Sequence, residues 1–450
     1  MLKQKFSEQK GAATMNPSKF RRWLTSKLMS RVAKRTSQIR LHEKAERNRI
    51  LADEPHVLEY FHQVDDPYSW LAVQTLQPLL ERYNIDLINH LVSGPTNKNL
   101  PEPSLLKNLA TIDVGRVAPH YGLETSESGA EINKESIWLA NKILTASISF
   151  ASDGPLVSSA LTKGNLNEIA TEFSLASDSD TEEKLSEGNS RLSELSHYSG
   201  AMFFYGDEWY WGVDRLYLLE DRWRKLGLDK SISNTPLFAR PAIEVKTDSG
   251  VGCTLEFYAS LRSPYTALIF DHVVEFARAS GLTLELKPVL PMVMRGVSLT
   301  RQKGLYIFAD AAREARALGD ELGPFWDPIG EPVRLAYSLY PWAKRESKHV
   351  EFFSAFLSAA FREGVNTMTT RGIKHVLQRA DLNWNHARSI LGQSGWEEEL
   401  ETNRLDMYSF GSWGVPSFRL LNEEGKEITW AWGQDRLWFI AKEILRINRW

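Results

Sequence analysis

Apolar and polar positions alternate along His56–Val64 and again along Ile85–Val92, which predicts two β-strands. Between them Trp70, Leu71, Val73, Leu76, Leu79 and Leu80 recur at helical spacing, so Pro67–Tyr83 is expected to form one helix. Residues 97–172 keep a helical pattern, with breaks at Gly122, Gly154-Pro155 and Gly164. Ser174–Ser190 is rich in Ser, Asp, Glu and Gly and reads, through Asp180, as a solvated loop. Ala201–Tyr205 and Glu208–Trp211 predict a hairpin, and a helix from Asp214 to Leu226 follows. Then the order returns. Strand Gly252–Tyr258, helix Pro264–Ser280 and strand Thr283–Pro288 precede a helical stretch from Lys303 to Leu391. Hairpin strands Ser417–Leu421 and Glu427–Trp432 and a helix Asp435–Ile447 close the chain.

The two halves share residues as well as order. Glu59–Ser69 (EYFHQVDDPYS) matches Glu256–Thr266 (EFYASLRSPYT) at an offset of 197. Trp211-Gly-Val-Asp-Arg-Leu216 matches Trp432-Gly-Gln-Asp-Arg-Leu437 at an offset of 221. A period this long is too great for a solenoid and reads as two related domains. Each copy is a β-α-β unit, a helical insertion and a β-β-α unit, which is the thioredoxin plan. The expected fold class is therefore α/β, with two such domains in tandem. The expected divisions are a basic, partly disordered arm at 1–52, a first domain at 53–228, a linker at 229–251 and a second domain at 252–450.

Composition narrows the chemistry. The net charge of −3 hides an arm, residues 1–50, that carries 14 Lys/Arg against three Glu, a balance of +11 that leaves −14 for the rest. Phe20-Arg-Arg-Trp-Leu24 and Leu28–Val32 would suit a basic amphipathic helix against anionic lipid or nucleic acid, an organellar transit segment, or a solvated tail. The arm lacks the apolar run of a secretory signal, and no stretch of 18 apolar residues occurs, so a cytoplasmic protein without a transmembrane segment is expected. Cys253 is the one cysteine, which excludes an internal dithiol, and the ten His lack metal-ligand spacing, so no metal is expected.

Candidate chemistry gathers at Ser263-Pro264-Tyr265-Thr266, where the first strand of the second copy meets its helix. Ser at an N-cap followed by Pro is an ordinary helix start. Gly414-Val415-Pro416-Ser417, ahead of a predicted strand, adds a proline that this plan usually holds cis. With Lys303-Gly304-x-Tyr306 and Gly433-Gln434-Asp435-Arg436, these elements resemble the DsbA-like branch of the thioredoxin superfamily. Within it they look like kappa-class glutathione transferases and 2-hydroxychromene-2-carboxylate isomerases. The resemblance covers residues 252–447 well and 55–227 weakly. In oxidoreductase relatives the x-Pro-x-x turn begins and ends with Cys; here Ser263 and Thr266 stand there. Cys253 cannot replace them, because a strand of ten residues spans about 30 Å.

The resemblance implies glutathione as a bound thiol and a small-molecule substrate. Ser263 would be catalytic, donating to the glutathione sulfur at a helix N-terminus that favours the thiolate. Tyr265 and Thr266 would flank it, and Val415, presented by cis Pro416, would pair with the tripeptide backbone. Gln434 and Asp435 would hold the γ-glutamyl end, and Lys303 the glycine carboxylate or a substrate acid. Asp435 as an N-cap and Lys303 as a solvated charge are the competing roles. The first copy carries Asp66 where Ser263 stands, a carboxylate that would repel a thiolate, and Met202 aligned with Pro416. Two readings follow: a glutathione-dependent isomerase or transferase for an aromatic or unsaturated carbonyl, and a non-catalytic thioredoxin-like scaffold. Duplication also suits an internal pseudo-dimer or a homodimer.

Overall fold

Eight strands form two four-stranded sheets in the computed structural model, which describes residues 16–95, 102–125, 132–297 and 299–447. The chain divides into two units. The first-sheet unit holds residues 39–100 and 107–241, and the second-sheet unit holds residues 1–38, 101–106 and 242–450.

In the first-sheet unit, β1 (Val57–His62), β2 (Asp86–Leu91), β3 (Met202–Tyr205) and β4 (Glu208–Trp211) lie in the order β2-β1-β3-β4. The second has β5 (Thr254–Ala259), β6 (Thr283–Pro288), β7 (Ser417–Leu421) and β8 (Glu427–Trp432) in the order β6-β5-β7-β8. Register is conserved between them. Val57 pairs with Asp86 as Thr254 pairs with Thr283, both parallel and both displaced by 197 positions. Phe61 faces Met202 as Tyr258 faces Ser417, and Met202 faces Trp211 as Ser417 faces Trp432. These registers set Met202 on Ser417, so Ala201 stands at the Pro416 position and the sequence alignment of Met202 with Pro416 is one residue out. Ala201 O accepts from Gly212 N–H as Pro416 O accepts from Gly433 N–H.

The repeated Glu at the start of the shared segment turns out to be an ion-pair anchor in both sheets. Glu59 takes Arg191 at 2.6 Å and His90 at 2.9 Å, and these partners overcome its desolvation and hold its carboxyl down at about 2. Glu256 takes Arg419 at 2.5 Å and Lys287 at 3.3 Å. On the apolar side, Phe257 packs against Phe418 and Phe270, with ring centroids 5.3 and 5.5 Å apart. Burying each such ring contributes about 2–3 kcal/mol.

Helix Pro264–Ser280 runs from the C-terminal end of β5. Ala267, Leu268, Ile269, Phe270, Val273, Phe276 and Ala277 face the core. Gly281 stops it in the left-handed region at φ 71°, where a side chain would be strained and its Cβ would lie 3.0 Å from Val251. The helical insertion of this unit comprises Arg301–Ala317, Glu331–Arg345, His349–Phe361, Thr370–Arg379, Trp384–Ile390 and Glu397–Ser409.

Three expectations are corrected. Pro67–Tyr83 is two helices, Pro67–Val73 and Leu76–Arg82, split where the Thr75 hydroxyl bonds back to Ala72 O at 2.7 Å. The loop expected from Ser174 through Asp180 ends three residues earlier, at Ser177, which caps helix Asp178–Glu194 by accepting from Asp180 N–H at 3.1 Å. The basic arm is not a solvated tail over its described part. Helices Lys19–Ala33 and Arg35–Ala52 occupy it, and residues 1–15 lie outside the described residues.

The first of these helices is bound through polar groups. Arg22, 1% exposed, donates to Asp327 O at 2.6 Å, Ile329 O at 2.7 Å and Asn16 Oδ1 at 2.8 Å. Ser26 and Ser30 accept from Asp327 N–H and Phe325 N–H at 3.0 and 2.8 Å, and Arg316 donates to Ala33 O at 2.9 Å. No apolar stripe announced this contact. Among the described residues, no helix is long and apolar enough to cross a membrane.

Candidate functional site

The topology collects three segments at one edge of the second sheet. β5 ends into Ser260–Ser263, and parallel β6 ends into Val289–Arg295. Antiparallel β7 begins from Gly414-Val415-Pro416. Ser263 is half-buried and caps helix Pro264–Ser280, its Oγ accepting from Thr266 N–H at 3.1 Å. The same hydroxyl donates to Val415 O at 3.4 Å, the long limit for a hydrogen bond. The Val415–Pro416 peptide is cis. Gly414 lets this loop lie against Trp432, since a Cβ there would sit 2.6 Å from the indole Nε1.

The remaining candidates fall into two sets. Gln434 and Asp435 lie in a 3-10 turn, Gln434–Arg436, packed against the Ser263 helix and tied to the proline loop through Gly433 N–H to Pro416 O at 2.9 Å. Gln434 is buried and its amide reaches Asp435 at 3.4 Å, while Arg436 pairs with the same carboxylate at 3.4 Å. Asp435 therefore already carries a buried arginine partner. Tyr265 turns the other way, its hydroxyl donating to buried Asp310 at 2.8 Å. Lys303 lies two turns before Asp310 on helix Arg301–Ala317 and so shares its face. Burial lowers its ammonium to about 8. Thr266 is fully buried and its hydroxyl accepts from Ser260 N–H at 3.4 Å, a role in the turn itself.

Three arginines that shape this edge were missed. Arg313 pairs with Asp310 at 2.9 Å and fixes the carboxylate that holds Tyr265. Arg262, directly before Ser263, pairs with Asp327 at 2.9 Å, the residue whose backbone Arg22 and Ser26 grip. Arg295 is buried, with its guanidinium on Tyr408 Oη at 3.1 Å and Trp413 O at 3.4 Å, bracing the segment that leads to the cis proline. The charge pattern of Asp310 and Arg313, three apart on one helix, was the available signal for the first pair.

Cys253 sits at the opposite end of β5, buried, with its thiol pushed up by burial.

In the first-sheet unit Asp66 takes the Ser263 role as cap. Its carboxylate accepts from Ser69 N–H and Ser69 Oγ, both at 2.8 Å. Burial outweighs these bonds and raises the carboxyl to about 6. A carboxyl raised on folding is stabilising while protonated, so its contribution is fullest below about pH 4 and fades as pH rises through 6. Asn caps a helix as well as Asp does. Asp66→Asn is thus expected to stabilise the protein by about 1–2 kcal/mol at pH 8 and to leave it unchanged at pH 4. Thermal melts at the two pH values measure the difference, and equal shifts at both would contradict it.

No curated protein matches the chain. Among solved structures, a 2-hydroxychromene-2-carboxylate isomerase is 18% identical, with a TM-score of 0.37 over 44% of this chain and 96% of its own. A probable DsbA oxidoreductase from Streptomyces coelicolor is 15% identical, with a TM-score of 0.33 over 43% of this chain and 90% of its own. The cytosolic disulfide reductase DsbM from Pseudomonas aeruginosa, solved with GSH, is 13% identical, with a TM-score of 0.33 over 44% and 98%. Residues 254–445, within the second-sheet unit, match the model of the DSBA-like thioredoxin domain.

Proposed function

We propose that the protein is a glutathione-dependent isomerase or transferase in which the Ser263 hydroxyl stabilises the glutathione thiolate. The observation that carries this reading is the Ser263 hydroxyl itself. It sits at the N-terminus of a 17-residue helix beside the cis Val415–Pro416 peptide, and among the described residues its donor side is engaged only by the long 3.4 Å contact to Val415 O. Exchanging that contact for a sulfur acceptor costs little, and the helix N-terminus favours the anion. Lys303, with its pKa near 8, stays largely charged at neutral pH and suits a carboxylate of the tripeptide or of the substrate. Val415 supplies backbone groups, and Gln434 and Asp435 the grip on the γ-glutamyl end, with the Arg436 pair yielding in part to the ligand's ammonium.

The chemistry is addition of the thiolate to an electron-poor carbon of an aromatic or unsaturated carbonyl compound. In an isomerase the C=C bond becomes single, rotates, and re-forms as the thiolate leaves. In a transferase the enolate left by addition takes up a proton from solvent, and the neutral adduct departs. Tandem duplication accounts for the first-sheet unit: it keeps the strand registers but has Asp66 for Ser263 and Ala201 for Pro416, so it serves as scaffold.

Calorimetric titration of glutathione at neutral pH tests the reading. One site per chain is expected, with Ser263→Ala binding about tenfold more weakly at pH 8 and the thiol of bound glutathione titrating higher. Wild-type protein that takes up no glutathione at millimolar concentration would leave a thioredoxin-like scaffold as the better account.

A further inference from the structure

Helix Lys19–Ala33 docks by the face that hydrophobicity would have turned outward. Arg22, Ser26, Ser30 and Ala33 point inward, while Phe20, Leu24, Lys27, Leu28 and Arg31 fall within about 100° of one another on the far side. Phe20 is 70% exposed, Leu24 52%, Trp23 44% and Leu28 37%, and Trp23 stacks on Phe20 at 6.1 Å. Lys19, Arg21, Lys27, Arg31 and Lys34 are exposed around them, with no acidic residue between positions 19 and 34.

We propose that this face is a docking surface for an anionic lipid bilayer. Aromatic and leucine side chains enter the boundary between headgroups and acyl chains, and the interspersed Lys and Arg draw the helix to negative headgroups. The buried Arg22 anchor holds the helix by its back, so the whole outward face is presented at once without an ordering cost on binding. A nucleic acid would use the cations but has no use for Leu24 and Leu28. A second copy would bring like charges together across a two-fold axis.

The test is co-sedimentation of the full chain with vesicles of phosphatidylcholine containing about 30% phosphatidylserine, at near-physiological salt, against pure phosphatidylcholine. Binding to the anionic vesicles is expected to be at least about tenfold tighter. Lys27→Glu with Arg31→Glu, and separately Phe20→Ser with Leu24→Ser, are each expected to weaken it about tenfold or more while leaving the circular dichroism unchanged. No serine-lipid-dependent binding, or binding that both double variants retain, would overturn the proposal. So would a lipid-free dimer abolished by Phe20→Ser with Leu24→Ser, which would assign the face to a second copy. Duplex DNA binding that needs the cations but not Phe20 and Leu24 would assign it to nucleic acid instead.

Discussion

Arg22→Ala is expected to cost the second-sheet unit about 3–5 kcal/mol and to release the helix Lys19–Ala33 from it. The guanidinium is 1% exposed and bonds the carbonyls of Asp327 and Ile329 at 2.6 and 2.7 Å. Burial pulls its pKa down while the nearby Asp327 carboxylate supports it. Truncation removes three charge-assisted bonds, to Asp327 O, Ile329 O and Asn16 Oδ1, and strands the two buried carbonyls, which is the expensive way to lose a hydrogen bond. Arg22→Lys keeps a charge without the planar fork and is expected to cost about half as much. Hydrogen exchange of the 19–33 amides in the two variants, alongside urea unfolding, separates helix release from global loss. Full protection in Arg22→Ala would show that the Ser26 and Ser30 bonds, with Met29 and Ala33 packed on the core, hold the helix without the arginine. The effect should also reach the candidate site. Asp327 pairs with Arg262, and Arg262 precedes Ser263, so glutathione binding under the proposed function is expected to weaken several-fold in Arg22→Ala.

The same helix marks the limit of what the sequence made legible. Strands and their pairing follow from alternation, and β6, β7 and β8 fall on the expected residues, because one buried face imposes a period of two. The Ser263 turn was legible because a cap and a proline sit at fixed offsets from a repeated strand. The docking of Lys19–Ala33 was not, since its contacts are carbonyls met by Arg22 and backbone N–H groups met by Ser26 and Ser30. Backbone acceptors 300 residues away leave no trace in local hydropathy. Arg295 was missed for a related reason: a lone arginine in a loop reads as surface until the fold buries it beside Trp413. The start of helix Asp178–Glu194 was hidden by its composition, because Ser and Asp favour turns unless a cap and a facing sheet decide otherwise. The one-residue error at Met202 arose because the intervening loops differ in length, and only the ladder register fixes Ala201 opposite Pro416.

The second large effect is acid lability of the first-sheet unit. His62 is fully buried between Tyr60 Oη at 3.1 Å and Ser158 Oγ at 3.3 Å. His197 is buried against Tyr198 and Trp209, with ring centroids 4.7 and 4.5 Å away, and accepts from Ser199 N–H at 3.3 Å. Desolvation holds both imidazoles down at about 3. A histidine lowered on folding stabilises while neutral, so this contribution is complete above about pH 6.5 and is lost as pH falls toward 3. Asp66, raised to about 6, and Glu220, also raised by burial, work in the opposite sense, while His56, lowered by burial, adds to the loss, so the two deeply buried imidazoles are offset only in part. The net expectation is a loss of about 2–3 kcal/mol from the first-sheet unit between about pH 6 and pH 4. Imidazole proton resonances of His62 and His197 should keep their neutral positions until that unit unfolds. His62→Asn keeps a hydrogen-bonding group without a titrating ring and is expected to move the acid midpoint down by about half a pH unit or more. If instead either ring titrates near pH 6 in the folded protein, the burial assigned to it here is wrong.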